Sequence, residues 1–224
     1  MRVTLRIVVE GQTEETFVNE ILKPYLSGFS VDVSAHVLNP IERSDKGQPG
    51  GLNSYGQVKK EINLWLKTDQ DENARVTTML DLYELTDDFP GYRDAALHSD
   101  PCRRVQALED ALAEEMGDNR FIPYIQLHEF EALLLSDPRK FESWFYNCMD
   151  GIANLVEMVA GFPSPEHVND DDPPSKRINR ELLNYKYYKR IAGLSAAKQI
   201  GLPTLRAKCA HFAKWLAELE NLGQ

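Results

Sequence analysis

The residues of this chain that could do chemistry are carboxylates, and four of them stand where predicted strands end. Glu10 closes the first run in IVVEGQTEETF, and Asp81 closes RVTTMLD. Glu129 and Glu131 follow FIPYIQL in the block HEFEALLLSD. Glu14 lies on the first turn of the helix after Glu10 and can point to the same edge. In an open parallel sheet, sites form at the carboxyl ends of the strands. Several carboxylates with no cysteine or histidine cluster make a hard oxygen site, suited to Mg²⁺ or Mn²⁺ held by one or two acids, water and substrate phosphates. Such a cation polarises a phosphodiester, generates a nucleophilic hydroxide, or as a pair clamps both oxygens of an in-line displacement. The same acids have a structural alternative, because a carboxylate after a strand also accepts backbone N–H groups at a helix start. For Glu14 and Glu15 that is the simpler reading; for Glu10 both stay open. Glu10 together with Asp81 points to function, since converging like charges destabilise a fold unless something positive lies between them.

The stretch His128-Glu129-Phe130-Glu131 is not a zinc signature, because an HExxH motif would need histidine where Ala132 stands. Glu129 and Glu131 diverge on a helix and share a side when extended. Glu131 is the acid expected at the metal edge, with Glu129 as a helper and His128 as a proton shuttle; a helix-start acid pair and a packed histidine are the alternatives. Ser175-Lys176-Arg177 follows Pro173-Pro174 and opens a helix. A helix N-terminus beside cations is a ready anion site, which makes Lys176 and Arg177 the expected phosphate contacts. Lys186, Lys189 and Arg190 follow, interleaved with Tyr185, Tyr187 and Tyr188. Aromatics among cations can stack on the bases of a single strand, or form an apolar face flanked by solvated lysines.

The elements that must position these residues alternate strand and helix. Strands are expected over Arg2 to Val9, Phe29 to Leu38, Arg75 to Leu82 and Phe121 to Leu127. Helices are expected from a Thr13 cap to about Leu26, bent or ended near Pro24, then from Tyr55 to Lys67 and from Pro101 to Met116 behind Asp100. The intervening NPIERSDKGQPGGLNSYG is rich in breakers and long for a plain connector, so a mobile or functional loop is expected there. This order implies a parallel α/β sheet of about four strands with helices on both faces. From residue 138 the strands stop, and helices are expected around 138–148, 150–160, 177–191 and 204–221. The expected organisation is therefore an α/β core over 1–137 with a helical extension over 138–224 packed on it.

Composition bounds the partners. The chain has 224 residues, 42% of them hydrophobic, enough for a proper core. Its formal net charge of −10 repels nucleic acid at long range. Residues 175–224 nevertheless hold 10 Lys/Arg against 3 Asp/Glu, which leaves 15 against 32 for the rest. An acidic body with a basic C-terminal segment suits an anionic partner near clustered carboxylates, or attraction between the two segments. Cys102, Cys148 and Cys209 form no CxxC pair, so neither a zinc knuckle nor a disulfide framework is supported. The opening MRVTLRIVVE reads as a strand rather than a signal peptide. No stretch approaches the ~18 consecutive apolar residues of a membrane span. A soluble cytoplasmic protein with no membrane partner is expected.

The stretches VVEGQTEETFV, TTMLDLYELTDDFPGY, HEFEALLLSD and PPSKRIN…IGLPTLRAKCAHFAKWL are spread over most of the chain. Together they resemble the bacterial family called domain of unknown function 4276, which belongs with the TOPRIM-like proteins. The TOPRIM fold of topoisomerases, primases and OLD-family nucleases uses a glutamate after its first strand and a DxD pair after its third to hold Mg²⁺ beside a phosphodiester. The resemblance therefore implies a Rossmann-like TOPRIM-type core, with Glu10 and Asp81 as catalytic metal ligands assisted by Glu14 or Glu131. The second DxD position is Tyr83, so Asp87, Asp88 or Glu131 would have to replace it. The implied function is a Mg-dependent enzyme on nucleic-acid phosphodiesters, first of all a nuclease, in defence against phage or mobile DNA. The alternative is a non-catalytic binding or regulatory subunit partnered with an ATPase, since the chain has no GxxxxGK[ST] loop of its own.

Overall fold

The structure is a computed structural model that describes residues 2–38, 52, 54–69, 71–168 and 171–224. Most of the breaker-rich stretch after Leu38 lies outside the described residues. The chain divides into two compact units: residues 1–125 with 217–224, and residues 126–216. The division falls at 125/126 rather than after 137, and the last residues join the first unit. They do so because Glu220 accepts a hydrogen bond from the Tyr25 hydroxyl (2.7 Å) and Gly223 lies against the Phe29 backbone.

In the first unit, β1 (Val3–Val9) leads into α1 (Gln12–Phe17), a π-helical stretch Val18–Leu22, and α2 (Lys23–Ser27). Thr13 is not the cap. The cap is Gly11, two residues earlier, and the Glu14 carboxylate turns back to accept the Gly11 N–H (3.1 Å). Pro24 does not end the helix. The wider turn before it lets the Lys23 N–H reach the Val18 carbonyl, so the ladder is re-spaced just before the residue that cannot donate. β2 (Val31–Val37), α3 (Tyr55–Thr68), β3 (Ala74–Asp81), α4 (Tyr92–Ala95) and α5 (Pro101–Met116) follow. Asp100 caps α5 as its sequence implies, accepting the Cys102 N–H at 3.0 Å.

The expected fourth strand is broken in two, β4 (Phe121–Ile122) and β5 (Ile125–Gln126), so the described residues form five strands rather than four. Pro123 has no N–H for the ladder. At the break, the Thr78 hydroxyl donates to the Tyr124 carbonyl (2.8 Å) and accepts from the Tyr124 N–H (3.0 Å), replacing the missing strand partner. The order is β2-β1-β3-β4, with β5 also on β3, and the β1–β2, β1–β3 and β3–β4 ladders are parallel. β1 is central: Val9 pairs with Val37 on one side and Met79 on the other, so both ladders end at the same edge. Leu5, Ile7, Val9, Leu22, Ile62, Met79 and Leu108 are buried.

His36, on edge strand β2, stacks on Trp65 of α3 at 3.8 Å, and its Nε2 shares a hydrogen bond with Ser34 (3.0 Å). Burial first, and the Arg6 charge second, hold its pKa below the ordinary 6.5, against smaller opposing effects of Glu61 and Asp69. The fold thus keeps His36 neutral to lower pH than the unfolded chain does. Its contribution to stability is whole above pH 6.5 and declines as pH falls through that value. The thermal midpoint should therefore drop between pH 7.5 and 5.5, and a His36→Asn variant should show a shallower drop by scanning calorimetry. An unchanged slope would remove His36 as the source.

The second unit is helical. α6 (Glu131–Leu134) precedes a 3₁₀ segment Pro138–Ser143, where an α-helix to 148 was expected. Asp137 starts that segment by accepting the Arg139 N–H (3.3 Å). α7 (Met149–Ala160), α8 (Pro174–Glu181), α9 (Tyr185–Lys208) and α10 (Ala210–Asn221) complete the chain, α10 running on into the first unit. The single helix expected over 177–191 is two, because Asn184 adopts a left-handed conformation (φ +68°) between α8 and α9. α9 changes direction at Gly201, whose φ of +74° suits glycine, just before Pro203. Gly151 of α7 lies against the end of α8: a Cβ there would stand 2.9 Å from the Glu181 carbonyl carbon and closer still to its oxygen.

Glu166 is 2% exposed and caps α10, accepting the His211 and Phe212 N–H groups, both at 3.0 Å. Cys209 is buried beside Ser136 (3.2 Å), and burial, reinforced by the Glu166 charge, pushes its thiol up to about 12. A native-state thiol titration at pH 8 should therefore modify the partly exposed Cys102 and Cys148 and leave Cys209 untouched until denaturant is added. Rapid modification of all three would contradict this core. No helix among the described residues is long and apolar enough to cross a membrane.

Candidate functional site

The first unit brings Glu10 and Asp81 to one edge of the sheet. Glu10 is the residue after β1, Asp81 the last of β3, and these strands are hydrogen-bonded neighbours in parallel. The Glu10 side chain crosses to β3, where its Oε2 accepts the Asp81 N–H at 3.3 Å. Asp81 itself is only 7% exposed. Two acids from adjacent strand ends thus share a short stretch of edge, and one of them lies largely below the surface. Parallel pairing dictates this, because it puts both carboxyl ends on the same side.

The expected helpers in this unit are engaged in helix starts. Glu14 is buried and closes on Gly11 as described. Asp88 caps α3, both of its oxygens accepting the Tyr55 N–H at 3.1 Å, and it also takes the Thr86 hydroxyl. That hydroxyl, above all, holds the Asp88 pKa below the usual carboxylate range. Asp87 is exposed. Tyr83 lies in a 3₁₀ turn, Leu82–Glu84, and is 44% exposed. The chain leaves the strand direction directly after Asp81, so the second DxD position points away from extended geometry. Among the described residues, no three of Glu10, Glu14, Asp81, Asp87 and Asp88 converge within 4.8 Å.

The remaining candidates belong to the second unit. His128 is buried with φ +61°, an uncommon conformation for a residue with a side chain. It lies in the bend between β5 and α6, directly before the two acids. Glu129 accepts the Ser175 N–H (2.8 Å) and the Ser175 hydroxyl (3.0 Å). It is therefore an internal carboxylate that occupies the start of α8, where a phosphate was expected. Burial raises its pKa and the charge of Glu131 adds to that, while Ser175 and Lys189 oppose. Glu131 is wholly buried. Its Oε1 takes the Lys189 ammonium at 3.0 Å and the Tyr185 hydroxyl at 3.2 Å, and Oε2 has no hydrogen bond among the described residues.

Arg177 is turned to Asp172, its Nε donating to the carbonyl at 2.6 Å, and its guanidinium lies 5.4 Å from the Phe162 ring centre. Lys176 is exposed. Asp172 is held below the usual range first by Arg180 and then by the Arg177 and Lys176 charges. The partners Ser175, Tyr185 and Lys189 were not legible as such, because each meets its acid across 46 to 58 residues. The one available signal was the pair of acids itself, which burial obliges to find donors.

A family model described as "Domain of unknown function (DUF4276)" matches residues 9–220. None of the curated proteins and none of the solved structures matches the chain.

Proposed function

We propose, for a chain that belongs to the family described as a domain of unknown function (DUF4276), that the first unit is a TOPRIM-like, Mg²⁺-dependent unit acting on nucleic-acid phosphodiesters, as a nuclease. The observation that carries this reading is the Glu10 carboxylate held 3.3 Å from the Asp81 N–H at the carboxyl edge of two parallel strands. Two oxygen-donor acids, with no cysteine or histidine among the expected metal ligands, fit Mg²⁺ or Mn²⁺, which takes one or two carboxylates and completes its shell with water and phosphate. When bound, such a cation would stabilise the charge that develops on the phosphoryl oxygens. Asp81, low in the edge, would supply a fixed negative charge of little mobility. Glu10, anchored through one oxygen, would keep its carboxylate oriented along the same edge. Glu14 would serve indirectly, by fixing the Gly11 turn that carries Glu10 out of β1.

A second reading, a non-catalytic binding or regulatory subunit, is favoured by Tyr83 standing exposed where a second acid would be and by the use of Glu14 and Asp88 as caps. Calorimetric titration of Mg²⁺ and Mn²⁺ separates the two. Wild type should bind, and Glu10→Ala combined with Asp81→Ala should abolish binding while circular dichroism stays unchanged. Equal binding by both proteins, or none by either, would transfer the assignment to the subunit reading.

A further inference from the structure

We propose that the outward face of the first half of α9, together with Trp144, binds single-stranded nucleic acid. The inference concerns the second unit alone and goes beyond the enzymatic reading, because it names a strandedness and needs no metal.

Helical phase separates two faces of α9. Tyr185, Ala192 and Ala196 are buried, and Lys189 turns inward to Glu131. The other face presents Lys186, Tyr187, Arg190 and Ile191 to solvent. Tyr187 is 82% exposed and Tyr188 48%. Tyr188 pairs with Trp144, itself 39% exposed, at 6.3 Å between ring centres and a 37° tilt. Large aromatics left in water on a helix that already buries one face indicate a surface made for contact.

Charge selects the occupant. Residues 182–217 contain Lys and Arg but no Asp or Glu, in a chain whose net charge is −10. An otherwise acidic protein thus concentrates cations along the segment that carries Tyr187 and Tyr188, and the complementary partner is an anion with flat apolar faces. Nucleic acid combines phosphate with bases, and single strands leave base faces open, whereas a duplex stacks them on each other. Lys186 and Arg190 are four apart and line one strip of the helix, and Tyr187 and Ile191 line the strip beside it, so phosphate contact and base stacking run side by side.

The test is fluorescence anisotropy of the full chain with a labelled oligothymidylate in EDTA. Binding is expected, with quenching of tryptophan emission that is lost in Trp144→Phe. Tyr187→Ala and Tyr188→Ala should each weaken binding roughly ten-fold, with recovery in the Phe variants. Lys186→Ala and Arg190→Ala should each lower the salt slope by about 0.7. Duplex DNA and polyphosphate should compete poorly. Three results would overturn the proposal: no binding at low salt; tyrosine variants that bind like wild type while polyphosphate competes fully; or self-association in sedimentation that Tyr187→Ala abolishes, which would make the face an interface between copies. Because the assay contains EDTA and reads strand binding rather than cleavage, failure of the catalytic reading would leave this result unaffected.

Discussion

An Asp81→Asn protein should lose Mg²⁺-dependent cleavage of nucleic acid by about 100-fold or more, and yet melt at a higher temperature than wild type in EDTA. Mutating groups that only support a metal ligand already lowers affinity or activity by about 10–100-fold, so removing a direct ligand sets that as the floor. The stability effect runs the other way. Asp81 is 7% exposed, and the Glu10 carboxylate leans on its backbone. Without a cation, two acids at one edge repel, and neutralising one should add about 1 kcal/mol. Saturating Mg²⁺ should reverse the order of the two midpoints, since a ligand at 100 times its Kd stabilises by ~2.7 kcal/mol and the Asn variant gains little of it. Glu10→Gln should follow the same pattern, because the amide oxygen can still accept the Asp81 N–H. Differential scanning calorimetry with and without Mg²⁺ reads both midpoints. A variant that melts lower under both conditions would make Asp81 a structural acceptor and remove the basis of the metal assignment.

Gly151→Ala should destabilise the chain by about 3 kcal/mol, although alanine is the better helix former by ~1 kcal/mol. The added methyl would lie 2.9 Å from the Glu181 carbonyl carbon, against backbone that cannot rotate away as a side chain could. One turn further along α7, the Asn154 amide donates to the Glu181 carboxylate at 2.8 Å, so the two elements are also tied where they would have to part. The denaturant midpoint should fall with an unchanged slope, and Cys209 should become reactive at lower denaturant than in wild type. A variant as stable as wild type would mean that α7 and the end of α8 are not this close.

What was legible in the sequence is what neighbouring residues decide. The Val3–Val9 strand and the Asp100-Pro101 helix start stand within a residue or so of expectation, because alternation and capping are local. The split of the fourth strand was written in Pro123, but its repair by the Thr78 hydroxyl joins residues 46 apart. The site divides in the same way. Glu10 and Asp81 announce themselves as strand-end acids, and parallel pairing does the rest. That Glu14 and Asp88 close helix starts, that Glu129 fills the start of α8, and that Lys189 pairs with Glu131 depend on which distant segment each acid meets. Burial forces every such acid to find a donor, but composition cannot say which donor.

Residues 217–224 belong to the same compact unit as residues 1–125, with Glu220 reaching back to Tyr25 across 195 positions. This has a consequence for the order of events at the ribosome. The β1-to-β5 segment emerges first but cannot complete its unit until Glu220 is clear of the exit tunnel. The helical segment 126–216 emerges in between, and its last helix, α10, continues to Asn221. The unit begun first is thus the one finished last, and it holds an open sheet during the interval, when exposed strand edges are most prone to wrong pairing.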